Sequence, residues 1–218
     1  MIRKMLWGCF SLIPFLILPK QISWCKAWPE AGTHLTISVY NDVGVPRGTL
    51  RQAEDEATRI FRQAGIEVNW LNCEVPAAAE DAAACQEVVF PTHLHLRIVR
   101  MAHGLKEGTL GISFLSADGS GCQADLFYEP MEELQGSNNA SLAPLLGHVA
   151  AHEVGHLLLG TNSHAPTGIM RAHWASEEIS TAKLGGVFFS DRESERMRQK
   201  LSIRIDLAKT TSQVAAAR

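Results

Sequence analysis

The sequence lacks an excess of charge of either sign. Its 218 residues carry 20 Lys and Arg against 23 Asp and Glu, a formal net charge of −3. No long run of like charge and no internal repeat occurs. This balance argues against a nucleic-acid partner. A hydrophobic content of 46% and a charged content of 20% instead predict an ordinary globular chain, with one sizeable domain or at most two small ones.

The sequence also lacks an apolar run of membrane-spanning length. The N-terminal run Met5–Leu18 has 14 residues and contains Pro14, whereas a membrane span needs roughly 20 residues. Two basic residues precede this run, and a polar stretch leads to Ala27. The pattern predicts a secretory signal peptide over residues 1–27, and hence a secreted or periplasmic protein with no membrane span after its removal. An uncleaved N-terminal anchor is the alternative.

Cysteine is scarce, and two of the five residues, Cys9 and Cys25, lie in the predicted signal peptide. Three cysteines, an odd number, therefore remain in the predicted exported chain. Cys73 and Cys85 flank a loop rich in Ala and acidic residues, and we predict a disulfide between them. Cys122 would then be free, although its pairing with either of the other two stays open.

Alternating and helical hydrophobic patterns predict the first half of the domain. Thr33–Asn41 alternates as a half-buried strand, Thr49–Ala64 has the spacing of an amphipathic helix, and Ile66–Leu71 alternates again. Short connections between them predict a βαβ unit with parallel strands. His93–Met101 is a further predicted strand, whose histidines are either an exposed polar face or a metal-binding pair.

The second half contains a predicted hairpin and two predicted helices. Leu110–Leu115 and Gln123–Tyr128 form the hairpin at a sheet edge, and the polar stretch Glu129–Ser141 is predicted as a loop. Leu142–Leu159 is apolar nearly all round, which predicts a buried helix. Asp191–Leu207 is a charged amphipathic helix whose capping box starts at the preceding serine. Together the elements predict an α+β fold with a mixed, twisted sheet of about five strands.

The buried helix carries the sequence H-E-x-x-H from His152 to His156. Positions i and i+4 share one face of a helix, so both imidazoles can bind one zinc ion. Glu153 lies about 100° around the helix, where it could take a proton from a zinc-bound water. Polar groups in an apolar helix need partners, and a metal supplies them. The alternatives are incidental histidines on an amphipathic helix, and a ligand role for His148 as well.

A third ligand is expected after Gly160, which ends the helix and lets the chain turn back. Three residues beyond it could complete the site: Asn162, Ser163 and His164. Imidazole is the usual choice, so His164 is the predicted ligand.

From His152 to Met170 the chain resembles the metzincin zinc peptidases. Their motif H-E-x-x-H-x-x-G-x-x-H precedes a turn with a methionine under the metal. The order here is the same: His152, Glu153, His156, Gly160, His164 and, six residues later, Met170. The strand–helix–strand start and the edge hairpin also look like that family's upper subdomain.

The spacing departs from the family pattern. Gly160 falls one position later than the motif's glycine, and His164 falls two positions later than its histidine. Ala172 occupies the position where some metzincins have a tyrosine. A neighbouring class of zinc peptidases takes its third ligand from a downstream glutamate, and Glu177 lies 21 residues after His156. Glu177 is therefore the alternative third ligand.

The resemblance implies a secreted zinc-dependent endopeptidase that acts on a peptide or protein substrate. Zn²⁺ would be held by His152, His156 and His164, with Glu153 as the catalytic base. The predicted organisation is a signal peptide (1–27), a zinc metallopeptidase-like domain (28–207) and a flexible tail (208–218). Two other functions remain open: an exported zinc-stabilised binding domain without catalysis, and a zinc hydrolase of a non-peptide amide.

Overall fold

The computed structural model of the protein describes residues 33–73, 85, 92–101, 104–105, 108–138, 141–174 and 186–202. The predicted signal peptide, the alternative ligand Glu177 and the predicted tail lie outside the described residues. None of the helices within the described ranges is long and apolar enough to cross a membrane.

Five strands form one mixed sheet in the order β2-β1-β3-β5-β4. Their bounds are β1 (His34–Asn41), β2 (Glu67–Asn72), β3 (His93–Val99), β4 (Gly111–Phe114) and β5 (Gln123–Phe127). Strands β2, β1, β3 and β5 run parallel, and β4 pairs antiparallel with β5 at the edge. This arrangement confirms the predicted α+β fold with a mixed sheet and an antiparallel edge hairpin.

The helices whose bounds fall within the described ranges are α1 (Arg47–Gln63), α2 (Tyr128–Asn138) and α3 (Leu142–Leu159), and a further helix, α4, is described over residues 191–202. Helix α1 connects the parallel strands β1 and β2, as predicted for a βαβ unit. The prediction of a loop over Glu129–Ser141 is wrong, because α2 occupies most of this stretch. Met131 is fully buried, and Leu134 packs against the core. These two contacts stabilise a helix whose own sequence shows little apolar periodicity.

One face of the sheet packs against α1 and α3 to form the core. The inward side chains of β1 and β3 are at most 2% exposed: Leu35, Ile37, Val39, Leu94, Leu96 and Ile98. Helices α1 and α3 cross closely at Gly147, where an added Cβ would lie 2.5 Å from the carbonyl oxygen of Ala53. The sheet and α1 therefore hold α3 in a fixed, buried position.

Helix α4 begins with the predicted capping box. The backbone N–H of Ser190 donates to Glu193 Oε2 over 2.8 Å, and the Glu193 N–H donates back to Ser190 Oγ over 3.3 Å. Further along α4, Arg198 donates to the carbonyl oxygen of Ala64, and Lys200 donates to that of Leu159. Cations at these positions stabilise the C-terminal ends of α1 and α3.

The predicted disulfide is confirmed. Cys73 and Cys85 form a disulfide, and Cys122 is free, as predicted.

The prediction of an exposed polar face on β3 is wrong for His93, which is only 4% exposed. Its Nε2 lies 2.6 Å from Ser38 Oγ on β1, so the two buried polar groups satisfy each other across the sheet.

Candidate metal centre

Helix α3 places two histidines on one face in the interior. His152 is 8% exposed and His156 is 4% exposed. Their Nε2 atoms lie only 3.0 Å apart, because side chains at i and i+4 lie one above the other on a helix. The two ring nitrogens therefore point at a common position, as the H-E-x-x-H spacing predicts.

The chain after α3 returns His164 to these two side chains. One ring nitrogen from each of His152, His156 and His164 lies within 4.8 Å of the others. We call these three residues the histidine group. Gly160 makes the return possible: its φ of +62° suits glycine, and an added Cβ would lie 2.6 Å from the carbonyl oxygen of Gly119. The two extra residues relative to the metzincin spacing are thus accommodated without removing His164 from the group.

The other candidates for a third ligand are placed differently. Ser163 is engaged with its neighbour, because its N–H donates to Thr161 Oγ1 over 3.1 Å and its Oγ accepts a hydrogen bond from Thr161 over 3.0 Å. Asn162 is exposed and lines a cavity beside β4. Glu177 falls outside the described residues. Among the described His, Cys, Asp and Glu side chains, the histidine group is the cluster with the geometry to bind a metal ion.

Backbone carbonyls orient both helical imidazoles. His152 Nδ1 lies 2.7 Å from the carbonyl oxygen of Ile169, and His156 Nδ1 lies 2.8 Å from that of Thr161. A carbonyl can only accept, so each Nδ1 carries the hydrogen and each Nε2 keeps its lone pair free. The hydrogen bond from Nδ1 fixes the tautomer and the ring orientation that a metal-binding histidine requires.

The histidine group is held in its neutral form. Burial, assisted by the neighbouring His156 and His164, lowers the pKa of His152 to about 4, although the hydrogen bond to the Ile169 carbonyl acts in the opposite direction. Burial also lowers the pKa of His156 and that of His164. Neutral imidazole is the form that binds a metal ion, so the three donors are ready at neutral pH without losing a proton. Three imidazole nitrogens are a ligand set that suits a catalytic Zn²⁺ ion with one open position.

Glu153 lies beside the histidine group and is 5% exposed. The hydroxyl of Ser113 on β4 lies 2.6 Å from Glu153 Oε2 and 2.7 Å from the Glu153 carbonyl oxygen, and can donate to either. Burial raises the pKa of Glu153 to about 7, although the hydrogen bond from Ser113 acts in the opposite direction. A carboxyl group with this pKa can accept and return a proton at neutral pH.

Strand β4 approaches Glu153 closely at Gly111. A Cβ at this position would lie 2.7 Å from Glu153 Cγ and 2.9 Å from its Oε1. Sequence reasoning identified neither Gly111 nor Ser113 as a partner of Glu153. The available signal was a Gly-x-Ser alternation on the predicted edge strand, which places both residues on the same face.

We expect Gly111→Ala to displace the Glu153 carboxylate, because the added methyl group overlaps its side chain. The predicted effect is a loss of about 1–3 kcal/mol in unfolding free energy and at least a roughly tenfold fall in any activity that depends on Glu153. Denaturant unfolding and turnover measure the two. Gly48→Ala is the matched control, since a Cβ there has no atom within 4 Å. Equal behaviour of the two variants would contradict the prediction.

A turn lies beneath α3 on the side of the histidine group. The N–H of Ala165 donates to the carbonyl oxygen of Met170 over 2.8 Å, which closes the turn. Met170 is buried, and a Cβ added to Gly155 would lie 2.8 Å from both its Sδ and the ring of Phe189. Met170 thus packs against α3 at Gly155.

His148 lies outside the histidine group, on the side of α3 that faces α1. Its Nδ1 is 2.9 Å from the carbonyl oxygen of Pro144 and 3.5 Å from Glu56 Oε1. Trp174 was not identified from the sequence. Its indole packs edge-to-face against His148 and His152, with centroid distances of 6.2 and 5.7 Å. The site is therefore backed by a partly buried aromatic ring.

The parallel crossover, the antiparallel edge strand and the buried helix with its histidine group together make an α+β fold with a candidate metal centre. Among solved structures, the chain is similar to archaemetzincin from Methanopyrus kandleri, with a TM-score of 0.50 and 17% sequence identity over 79% of this chain and 98% of that chain. The likeness concerns the fold. No family model and no curated protein matches the sequence.

Proposed function

We propose that the protein is an exported zinc-dependent metallopeptidase that hydrolyses internal peptide bonds. The observation that carries the proposal is the histidine group, whose nitrogens converge within 4.8 Å, with the buried carboxyl group of Glu153 beside it. The fold supports it, because archaemetzincin bears the name of the family that the H-E-x-x-H segment resembles. In this proposal Met170 corresponds to the methionine of the metzincin turn.

The chain's residues divide the work between metal binding and proton transfer. His152, His156 and His164 hold Zn²⁺, which when bound polarises a carbonyl oxygen and lowers the pKa of water towards about 7. Glu153 accepts the proton of the attacking water and later delivers it to the leaving amine. Ser113 keeps the carboxylate oriented through its 2.6 Å hydrogen bond.

The substrate backbone is proposed to pair with β4. This strand is at the end of the described sheet, next to β5 alone. An edge strand offers free backbone N–H and C=O groups to an extended peptide. Gly111 and Ser113 contact Glu153 from this strand. A peptide bound along β4 would therefore pass close to the proposed base.

Export is proposed on two grounds. The N-terminal residues have the pattern of a secretory signal peptide. The disulfide between Cys73 and Cys85 is typical of proteins in an oxidising compartment.

A metal-dependent peptide digest tests the function. Protein purified without residues 1–27 is expected to contain about one Zn²⁺ and to cleave members of a mixed peptide library. A chelator should abolish cleavage, and added Zn²⁺ should restore it. An intact library with zinc bound would instead support the binding-domain alternative, and hydrolysis of small amides alone would support the non-peptide hydrolase. Either result overturns the peptidase proposal.

A further inference from the structure

A cavity of about 510 Å³ opens beside the hairpin of β4 and β5. Its lining includes Ser113 from β4, Gln123 from β5 and Asn162 from the segment after α3. The same Ser113 donates a hydrogen bond to Glu153. The cavity therefore begins next to the carboxyl group proposed as the base and next to the segment that carries His164.

Every described residue that lines this cavity is uncharged. Hydroxyl and amide groups alternate with apolar surface from Phe114 and Leu115. Two acidic residues outside the lining, Asp118 and Asp125, accept hydrogen bonds from lining residues. Asp118 accepts from the Ser120 hydroxyl over 2.7 Å, and Asp125 accepts from Gln123 Nε2 over 3.4 Å. A charged side chain entering the cavity would lose water without a charged partner among the lining residues, which is unfavourable.

We propose that this cavity is a substrate subsite that selects an uncharged side chain close to the scissile bond. The inference rests on the proposed peptidase function and adds a substrate class to it: peptides with a neutral polar or apolar residue at that position. Side chains of a strand paired with β4 alternate between the two faces of the extended sheet, which presents every second residue to one face. The cavity volume lies within the range of small-molecule pockets, so the subsite admits large side chains as well as small ones.

The first test uses Cys122 as a reporter, because its thiol is free and lines the cavity. In alkylation by iodoacetamide, the sulfur of Cys122 forms a bond to the CH₂ group and iodide leaves. The zinc-loaded Glu153→Gln variant binds peptide without cleaving it under the proposed mechanism. A saturating peptide with neutral residues should slow alkylation of Cys122 by at least about tenfold, as read by mass mapping. A peptide of the same length made of Lys and Glu should slow it much less.

The second test changes the charge of the cavity wall. Gln123→Glu places a carboxylate there with almost no change in shape, next to Asp125. The relative kcat/KM for peptides with Lys or Arg at the selected position should rise about five- to tenfold. Gln63→Glu is the matched control, since it makes the same chemical change on the exposed end of α1. Its cleavage profile should equal that of the wild type.

The outcomes separate this inference from the proposed function. A wild-type protein that cleaves peptides but accepts charged residues as well as neutral ones at every position near the bond overturns the subsite. Identical profiles for Gln123→Glu and Gln63→Glu, or unchanged alkylation of Cys122 with bound peptide, also overturn it. A zinc-loaded wild type that cleaves no peptide at all overturns the proposed function instead.

Discussion

Replacing Glu153 with Gln should lower kcat/KM for peptide cleavage by about 10²–10⁴-fold while the protein keeps its zinc. The amide has nearly the same shape and can still accept the hydrogen bond from Ser113, but it cannot take a proton from water. Glu153 is not a member of the histidine group, so metal affinity should change little. Zinc content by atomic absorption and turnover of a cleavable peptide measure the two quantities. Wild-type turnover by this variant would exclude the mechanism.

The stability of the metal-free variant provides the control for folding. In the wild type, folding raises the pKa of Glu153 from its ordinary value of 4.5 to about 7. The folded state therefore binds this proton more tightly, and the contribution of Glu153 to stability is present below pH 4.5 and lost as the pH rises through 7. Gln has no charge to bury. Above pH 7 the free energy of unfolding of the variant should therefore exceed that of the wild type by up to about 3 kcal/mol, and the difference should vanish near pH 4. A variant less stable at pH 8 would mean that its inactivity reflects misfolding.

The elements that hold the site were predictable from local patterns, because each pattern matches what the element contacts. Helix α3 is apolar on nearly every side, and it packs against both the sheet and α1 with most of its residues buried. The alternation of β1 and β3 likewise corresponds to one face that packs against these helices. Helix α2 was not predicted because few of its residues contact the core. Among its described side chains only Met131 is fully buried, with Leu134 partly buried against the core, and two such residues make no clear periodic pattern.

The contacts that give the site its chemistry were much less accessible from the sequence. Ser113 and Glu153 are 40 positions apart and meet only because β4 lies against α3. The close approach at Gly111 is a property of that packing, and a glycine in a strand can equally mark a bulge or a tight bend. Residue type, in contrast, predicted His164 despite its irregular spacing. Gly160 and its contact with Gly119 show how a longer segment still brings the imidazole back.

The helical pair and the third histidine differ in exposure, and this difference makes His164 the sharper test of the metal site. His152 and His156 are buried, and each donates a hydrogen bond to a backbone carbonyl, so their replacement would disturb folding as well as metal binding. His164 is exposed. Its replacement should leave the fold intact and remove one donor from the histidine group.

We therefore expect His164→Ala to unfold at the same denaturant concentration as the wild type in metal-free form, but to bind Zn²⁺ at least about 100-fold more weakly. Loss of a group that merely orients a ligand already costs about 10–100-fold in metal affinity, and loss of a ligand itself should cost more. Competition with a chromophoric chelator measures the affinity. Ser163→Ala is the adjacent control and should bind zinc normally, because its hydroxyl pairs with Thr161. Full zinc affinity in His164→Ala, together with its loss in Glu177→Ala, would reassign the third ligand to Glu177. The histidine group would then be reduced to the helical pair, and the resemblance would shift to the class of zinc peptidases that uses a downstream glutamate.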